Sequence, residues 1–254
     1  MPRKRILSKN KMVSMSDDWY ELTDIDHFWL QWRFRIFAQL IHPFLKNDSQ
    51  VFEIGCGNGI VMKQFENTYH QSIAGCDLNQ FAIDHIIEDL KGTVYTYDIH
   101  DRHKDLLEKF DIIILFDVIE HIEDEKYFIE SALAHLKKGG KLIINVPAHQ
   151  WLYSRYDKIV GHLKRYNKKD INAIVNQIDG SSVNHKYWGF SLIPLLLVRK
   201  LYLVFQKEEN VISKGFKPPH PLVNSITKLI MKLETAIPLN LPIGASLMSV
   251  IDKE

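Results

Sequence analysis

The sequence predicts an α/β fold in which seven strands form a mostly parallel sheet with helices on both faces. Short apolar segments of strand length alternate with amphipathic segments of helical length from residue 51 towards the end of the chain. Glycine or an acidic residue follows several of the apolar segments, where a strand turns into a helix. Because such alternation builds right-handed crossovers, we expect a parallel sheet that is buried on both faces.

Composition restricts the class of protein. The chain has 254 residues, with 32 basic and 31 acidic side chains, so its net charge of +1 provides no overall field for nucleic acid. Its two cysteines cannot form a disulfide framework, which favours a reducing and therefore cytoplasmic setting. We expect one domain with a large core and no nucleic-acid partner.

Four regions make up this single domain. They are a tail with a covering helix, the core, a helical insertion between the sixth and seventh strands, and the last strand. In the same order, these regions cover residues 1–45, 46–188, 189–240 and 241–254.

The amino-terminal tail is basic. It contains Arg3, Lys4, Arg5, Lys9 and Lys11. No apolar run follows that could form the core of a signal peptide, so we expect a frayed tail. The alternative is a contact between these side chains and anionic lipid headgroups.

A helix is predicted over residues 26–45, with Asp26 as its N-cap. Large apolar side chains recur in it at helical spacing. They are Phe28, Trp29, Trp32, Phe34, Phe37 and Leu40. We expect this face of the helix to pack against the rest of the domain.

The first strand of the core runs directly into three glycines at alternate positions, Gly55, Gly57 and Gly59. Glycine reaches positive φ and lets a ligand approach the backbone at the start of a helix. The spacing differs from the dinucleotide fingerprint G-x-G-x-x-G, which requires Gly or Ala where this chain has Ile60. Glu53 would also repel a phosphate, but it could pair with a cationic amino group. These residues predict a cofactor loop and disfavour a nucleotide diphosphate.

The remaining strands follow at regular intervals. They are predicted over residues 71–77, 93–99, 111–116, 141–146, 181–188 and 245–251. Helices are predicted between them over residues 60–67, 80–90, 101–110, 124–137 and 167–178. A ligand should then bind at the carboxyl ends of the strands.

Glu53 and the three glycines form the pattern E-x-G-x-G-x-G, which resembles the first motif of the class I S-adenosylmethionine-dependent methyltransferases. The segments that follow arrive in the order of that family, closely over residues 51–147. The resemblance implies a Rossmann-like fold, an S-adenosylmethionine cofactor and a helix near the amino terminus that covers it. It also implies that Asp77 binds the ribose hydroxyls and that Asp98 lies near the adenine amino group.

The resemblance extends to a full set of cofactor-binding residues. They are Glu53, Gly55, Cys56, Gly57, Gly59, Asp77, Leu78, Asp98, Ile99, Phe116 and Asp117. The residue type at position 77 suits its task, because a carboxylate can accept hydrogen bonds from both hydroxyls of a diol.

After the fourth strand the chain reads D-x-x-E-H, with Asp117, Glu120 and His121 on neighbouring faces of one turn. The pattern resembles the E-x-x-E-H of the small-RNA 2′-O-methyltransferases, in which it binds a divalent metal, and the E-H of the ubiquinone-type O-methyltransferases. Carboxylates and imidazoles are suitable ligands for magnesium or manganese. The metal candidates are therefore these three residues and His162; the alternative is that E-H only shapes the loop.

Two segments after the fifth strand are rich in His, Tyr and Arg, and they contain His149 and His162. A histidine can remove a proton from a hydroxyl or an amine near neutral pH. The patterns P-A-x-x-x-L-x-S-x-x-D and G-H-x-x-R-Y are similar to those of bacterial methyltransferases in glycan and secondary-metabolite pathways. The catalytic candidates are His121, His149 and His162, and a structural hydrogen bond is the alternative for each of the last two.

The expected activity is O- or N-methylation of a small-molecule, sugar or lipid-linked acceptor. Two alternatives come from other classes: an NAD-linked oxidoreductase, which the glycine spacing disfavours, and a catalytically silent partner subunit that keeps the cofactor fold.

The insertion contains an apolar segment over residues 192–205, which is too short to span a membrane and is interrupted by Arg199 and Lys200. Residues 207–222 are predicted to form a mobile loop and residues 223–237 an amphipathic helix. The apolar segment is either a buried lid or an interfacial helix that makes a peripheral membrane contact. In both cases we expect the insertion to form one wall of the acceptor site.

Overall fold

The computed structural model describes residues 2–9, 24–178, 181–216, 221–236 and 240–254. Its strands are β1 (Arg3–Ile6), β2 (Val51–Ile54), β3 (Ala74–Asp77), β4 (Thr93–Thr96), β5 (Phe110–Phe116), β6 (Leu136–Pro147), β7 (Ser181–Trp188) and β8 (Ser246–Lys253). They form one sheet in the order β1-β4-β3-β2-β5-β6-β8-β7. The pairs from β1 to β6 are parallel, whereas β8 runs antiparallel to β6 and β7.

The α-helices of the described residues surround this sheet. They are α1 (Phe28–Ile41), α2 (Ile60–Tyr69), α3 (Gln80–Asp84), α4 (Glu125–His135), α5 (Arg155–Ile159), α6 (Lys168–Val175), α7 (Ile193–Val204), α8 (Val211–Phe216) and α9 (Pro221–Ala236). The last three lie between β7 and β8 and form the helical insertion.

Strand β5 shows why helices cover both faces of the sheet. Its residues alternate between two apolar cores, because successive side chains of a strand point to opposite faces. Ile113 and Leu115 belong to the core that includes α4 and α6, whereas Ile112 and Ile114 belong to the core that includes α1 and α2. The predicted Rossmann-like α/β fold with a mostly parallel sheet is therefore confirmed.

The predicted count of seven strands is one too low, because part of the amino-terminal tail is a strand and not a frayed end. β1 pairs in parallel with β4, from Arg3 beside Thr93 to Ile6 beside Thr96. The Lys4 ammonium donates a hydrogen bond to the Ile83 carbonyl at 2.7 Å. The four side chains of β1 are exposed, and charged residues are typical of an edge strand that must not pair further. Of the predicted basic cluster, residue 11 lies outside the described residues.

Two predicted helices differ from the structure. Residues 102–109 form turns and irregular structure, because Arg102 and Glu108 adopt positive φ and the Tyr97 hydroxyl accepts the His103 backbone N–H at 2.7 Å. The helix predicted over residues 80–90 ends at Asp84. Beyond it, the backbone N–H of residue 87 donates to the carbonyl of residue 58 in the glycine loop.

The covering helix and the insertion also differ in detail. The N-cap of α1 is His27 and not Asp26, and its Nδ1 accepts the Trp29 N–H at 3.2 Å. The predicted loop over residues 207–222 contains α8 and the start of α9, and Val211 packs with Leu203 and Tyr156 in a small apolar core. Residues 217–220 and 237, which belong to the predicted loop and the helix after it, lie outside the described residues.

The helices of the insertion are of moderate length. Among the residues that the structure describes, none of the helices combines the length and the apolar composition that a membrane crossing requires.

Candidate functional site

A cavity of about 730 Å³ opens at the carboxyl ends of the central strands. Its walls come from the glycine loop after β2, from the ends of β3 and β5, from α1 and from α7. Parallel α/β sheets bind their ligands at this edge, and the volume is that of a small-molecule site. This cavity is therefore the candidate functional site.

The glycine loop requires its glycines. Gly55 has a φ of +77°, and a Cβ there would lie 2.6 Å from the Val118 side chain. The backbone N–H groups of Gly55 and Cys56 both donate to the Cys76 carbonyl, at 2.8 and 2.9 Å. The loop is thereby fixed to β3, and Cys56 and Gly57 line the cavity with their backbone close to its interior.

Asp77, the last residue of β3, is held beside this loop. Its carboxylate accepts the backbone N–H groups of Gly57 and Asn79, each at 2.8 Å. Burial raises the pKa of Asp77 above its usual value. Because both oxygens are fixed by the backbone and the residue lines the cavity, Asp77 presents an oriented pair of hydrogen-bond acceptors.

Glu53 is a second acidic group in the part of the cavity next to the glycine loop. We call this part, which also contains Asp77, the first half of the cavity. Glu53 is 3% exposed, and its Oε2 has no hydrogen-bond partner among the described residues. Burial raises the pKa of Glu53 to about 8, although the Arg33 charge acts in the opposite direction. A buried carboxyl of this kind fits a cationic group, which would replace the hydration that burial removes.

An ion pair connects the covering helix to the sheet. Nη1 of Arg33, on α1, donates to Oδ2 of Asp117, and the Asn145 side chain donates to Oδ1 at 2.9 Å. The Arg33 guanidinium also lies 5.0 Å from the ring centres of Trp29 and Phe116. Arg33 and its three partners, Asp117, Trp29 and Phe116, all line the cavity. One side of helix α1 therefore lines the cavity, and its other side packs in the apolar core.

Glu120, His121 and His162 form a cluster at the other half of the cavity. Each offers a donor atom, and these atoms lie within 4.8 Å of one another. The two imidazole rings meet edge to face with centres 4.9 Å apart. Glu120 is 0% exposed, and neither of its carboxyl oxygens has a hydrogen-bond partner among the described residues. Asp117, the fourth predicted metal ligand, pairs instead with Arg33 and is not part of this group.

Burial disfavours the charged forms of two side chains in the cluster. Burial and, secondly, the Asp117 charge raise the pKa of Glu120 well above its usual value. Burial together with the neighbouring His162 lowers the pKa of His121 to about 4, so its imidazole is neutral at pH 7. One carboxyl and two imidazoles are a donor set that a divalent metal accepts.

Asp157 holds His162 in position. The His162 Nδ1 lies 3.0 Å from Asp157 Oδ1, which also accepts the Arg165 Nε–H at 2.8 Å. The other carboxylate oxygen accepts the backbone N–H and the hydroxyl of Ser154, both at 2.8 Å. Although burial opposes ionisation, the His162 hydrogen bond and the Arg165 charge hold the pKa of Asp157 well below its usual value. An ionised Asp157 fixes the tautomer of His162 and leaves Nε2 as the proton acceptor.

The cavity brings most of the predicted site residues together, but not all of them. Those that line it are Glu53, Gly55, Cys56, Gly57, Asp77, Phe116, Asp117, His121 and His162. Those that are not among its lining residues are Gly59, Leu78, Asp98, Ile99, Glu120 and His149. Glu120 reaches it through its contact with His162, 3.9 Å away.

Two of the residues outside the lining have other contacts. The Asp98 carboxylate accepts the His100 N–H at 3.0 Å, and its own backbone N–H donates to Ser8. His149 stacks on Tyr187, with ring centres 4.9 Å apart. Burial, with a smaller effect from an arginine, lowers the pKa of His149. Their predicted roles in adenine binding and catalysis stay predictions.

Sequence reasoning missed Arg33, Asp157 and Arg165. Asp157 lies in the pattern S-x-x-D and Arg165 in the pattern G-H-x-x-R-Y, so the sequence contained a signal for both. The spacing of these patterns does not show that Asp157 contacts both Arg165 and His162. Arg33 stands among aromatic residues of a core-facing helix, and its partner is 84 positions away in the chain.

Comparisons with family models and with known proteins all match this chain to methyltransferases. A family model described as "Methyltransferase domain" matches residues 29–179. The chain is 30% identical over 99 residues to a ubiquinone biosynthesis O-methyltransferase of Chelativorans sp. (strain BNC1), covering 37% of this chain and 39% of that protein. It is 25% identical over 128 residues to a probable S-adenosylmethionine-dependent methyltransferase of Mycolicibacterium smegmatis, covering 48% and 46%. The matched segments span less than half of these relatives.

Solved structures show the same fold. A SAM-dependent methyltransferase from Archaeoglobus fulgidus has a TM-score of 0.53 at 16% identity, covering 89% of this chain and 99% of that one. The plantazolicin methyltransferase BamL, solved with a triazolic desmethylPZN analog and SAH, has a TM-score of 0.57 at 13% identity, covering 93% and 88%. At these identities the likeness concerns the fold alone.

The Asp157 network generates a prediction about stability and pH. We expect Asp157→Asn to lower the free energy of unfolding by about 3 to 5 kcal/mol at pH 7, because it leaves Arg165 buried without its charge partner. A depressed carboxyl pKa contributes stability that is present above the unfolded value of about 3.9 and is lost as the pH falls towards the folded value. The difference between wild type and variant should therefore be constant from pH 7 to about pH 4 and shrink below it.

Urea unfolding across this pH range measures the difference. Asp105→Asn, at a mostly exposed carboxylate, is the matched control and should change stability by less than about 0.5 kcal/mol. Equal effects of the two substitutions at pH 7 would contradict the buried network.

Proposed function

The chain belongs to the S-adenosylmethionine-dependent methyltransferases, as the match over residues 29–179 shows, and we propose that it methylates a hydroxyl group of an amphiphilic acceptor. When bound, the cofactor supplies a methyl group on a positively charged sulfur. The family assignment removes the NAD-linked oxidoreductase as an alternative. Methylation of an amine and a catalytically silent partner subunit are the remaining ones.

One observation carries the proposal: a single cavity joins two halves with different chemistry. Glu53 and Asp77 lie in one half, and His121 and His162 lie in the other. The first half suits a cofactor with a cationic amino group and a diol, and the second suits a group that loses a proton. A transfer reaction requires this juxtaposition of donor and acceptor sites.

In the cofactor half, we assign Asp77 to the ribose hydroxyls and Glu53 to the amino group. The support for Asp77 is its oriented carboxylate at the end of β3, and the support for Glu53 is its buried oxygen without a partner. The positive φ of the glycines lets the cofactor approach the backbone between these two side chains.

In the acceptor half, we assign the base to His162. Asp157 fixes the imidazole through Nδ1, which leaves Nε2 to take the proton of the acceptor hydroxyl. His121 is less suited, because a pKa of about 4 makes it a weak base at neutral pH. The support for a hydroxyl acceptor is that several relatives bear the name O-methyltransferase.

The cluster also fits a divalent cation, which Glu120, His121 and His162 would hold. Such a cation would lower the pKa of an acceptor hydroxyl bound to it. The buried Glu120 oxygens without a partner among the described residues support this assignment. In that arrangement His162 is a ligand, so the two assignments of His162 can be separated by metal binding.

The walls of the acceptor half favour an amphiphilic molecule. Arg199 and Lys214 contribute positive charge to the cavity, which suits an anionic or sugar-like head group. Leu195, Leu196 and Val198 of α7 contribute apolar surface. We therefore place lipid-linked or glycolipid acceptors ahead of small polar metabolites.

Cofactor binding is tested by Asp77→Ala. We expect this substitution to cost about 1.5 to 3 kcal/mol of binding, or about 10- to 160-fold in Kd, since it removes a charge-assisted contact to two hydroxyls. Calorimetric titration with S-adenosylhomocysteine measures the change, and Asp105→Ala on the surface is the control. An unchanged affinity in Asp77→Ala would overturn the assignment of this residue.

Catalysis is tested with cell extract and S-adenosylmethionine labelled in its methyl group. We expect label in an extractable lipid or glycolipid fraction, and a loss of at least about 100-fold in His162→Gln, because a positioned base contributes 10² or more. Tyr127→Phe, on the exposed surface of α4, should label normally. If wild-type protein that binds the cofactor transfers no label to any fraction, the silent-subunit alternative replaces this proposal.

Metal binding is tested without any acceptor. We expect Mn²⁺, followed by electron paramagnetic resonance, to bind the wild type and to bind Glu120→Gln at least about tenfold more weakly, because a charged ligand is lost. Glu123→Gln, three residues along the chain at an exposed position, should bind like the wild type. Absence of Mn²⁺ binding to the wild type would exclude the metal and leave His162 as the base.

A further inference from the structure

Helix α9 exposes most of its apolar side chains and buries two threonines beside one methionine. Its buried residues are Thr227, Met231 and Thr235, one turn apart, on the side that faces the domain. The two threonine hydroxyls are satisfied by backbone carbonyls of the same helix, at 2.8 and 2.7 Å. This is the reverse of a surface helix in water, which turns its apolar stripe inwards.

The exposed stripe of α9 extends over twelve residues, from Leu222 to Leu233. It consists of Leu222, Val223, Ile226, Leu229, Ile230 and Leu233, each 40 to 65% exposed. Helix α7 and the residue after it add a second set. It consists of Leu195, Leu197, Val198, Leu201, Tyr202, Val204 and Phe205, each 41 to 87% exposed. We call these two sets the outer apolar face.

This concentration is not the ordinary scatter of apolar residues on a surface. Among the described residues, 14 of the 18 large hydrophobic side chains that are exposed lie between positions 190 and 233. Scattered single residues need no explanation, whereas such a concentration of exposed apolar residues in one insertion marks an interaction site.

The charge around the outer apolar face is positive. The segment 189–236 contains seven Lys and Arg and three Glu, a net charge of +4 in a chain whose total is +1. Lys228 and Lys232 stand on α9 itself, and the carboxylate of Glu234 is occupied by the backbone N–H groups of Phe190 and Ser191. An apolar stripe flanked by lysines matches the interface of an anionic lipid bilayer.

A second copy of the chain fits this surface less well. A two-fold dimer brings the same patch of both copies together, so the lysines of one stripe would approach those of the other. No free acidic row on the described part of the insertion could compensate them, since Glu234 already binds the start of α7 and Glu208 is the other described acidic side chain. Like charges at an interface oppose association.

We propose that the outer apolar face docks on an anionic lipid bilayer, with α7 and α9 lying in the headgroup region. Leu195, Val198 and Tyr202 are exposed on this face and also line the cavity. The cavity therefore opens where the bilayer would lie, and an acceptor with an apolar chain can reach it from the membrane. This last step rests on the proposed function, whereas the docking itself does not.

Two basic residues of the apolar segment have roles apart from the bilayer. The Arg199 guanidinium lies 4.6 Å from the Tyr156 ring centre and donates to the Gly215 carbonyl at 3.0 Å. The Lys200 ammonium donates to the Trp151 carbonyl at 2.8 Å. Arg199 thus faces the cavity, and Lys228 and Lys232 of α9 are the basic residues that we assign to the lipid headgroups.

Co-sedimentation with vesicles tests the proposal. We expect the full chain to sediment with vesicles of phosphatidylglycerol and phosphatidylcholine, more strongly at low than at physiological salt, because screening weakens the lysine contacts. The double variant Leu229→Glu with Ile230→Glu should lose at least about tenfold in apparent affinity. Ile6→Glu introduces the same side chain at an exposed position of the edge strand β1, outside the insertion. This control variant should bind like the wild type.

The results that overturn docking are distinct from those that overturn the proposed function. Docking is wrong if the wild type binds the vesicles at neither low nor physiological salt. It is equally wrong if the double variant binds the vesicles as well as the wild type. It is also wrong if light scattering shows a dimer that the double variant converts to a monomer, since the face then belongs to a second copy. Affinity for S-adenosylhomocysteine should be unchanged in both variants, so a failure of docking leaves the methyltransferase site untouched.

Discussion

The ion pair between Arg33 and Asp117 is the contact on which the shape of the site depends. It joins the covering helix to the end of the central strand β5, and Asn145 and the ring of Phe116 hold its two members. Without it, α1 would still pack in the core through Trp32 and its neighbours, but the cavity-lining side of the helix would lose its charged link to the end of β5. The same pair supplies the positive charge nearest to Glu53, so it also sets the electrostatics of the cofactor half.

Two buried carboxyl groups, Glu53 in the wall of the cavity and Glu120 behind His162, lack a full set of partners among the described residues. Glu53 and Glu120 each have raised pKa values because burial disfavours their charged forms. Burying such groups is costly unless a positive partner is gained when the site is filled. We infer that each carboxyl group is placed to meet a cation: the amino group of the cofactor at Glu53, and a divalent metal at Glu120.

Sequence reasoning recovers the parts of this protein that depend on neighbouring residues. The glycine loop, Asp77 and the succession of strands and helices along the core follow from local patterns, because a strand that turns into a helix beneath a ligand needs those residue types at that spacing. The parts that depend on distant contacts were missed. Asp157 contacts His162 and Arg165 only in the folded chain. Arg33 pairs with Asp117, which is 84 positions away. Strand β1 has charged residues because it lies at the edge of the sheet, so it lacks the apolar alternation that would predict a strand.

The insertion shows how one helix can serve two surroundings at once. Helix α7 has an apolar sequence on nearly all sides, with Leu196 and Arg199 turned to the cavity and Leu197 and Leu201 exposed. A lid over a small polar acceptor would need apolar residues on its inner side only, and selection for solubility would make the outer side polar. Because the outer side is apolar on α7 and again on α9, where threonines take the buried positions, the asymmetry is better explained by an apolar environment outside the protein than by the packing within it.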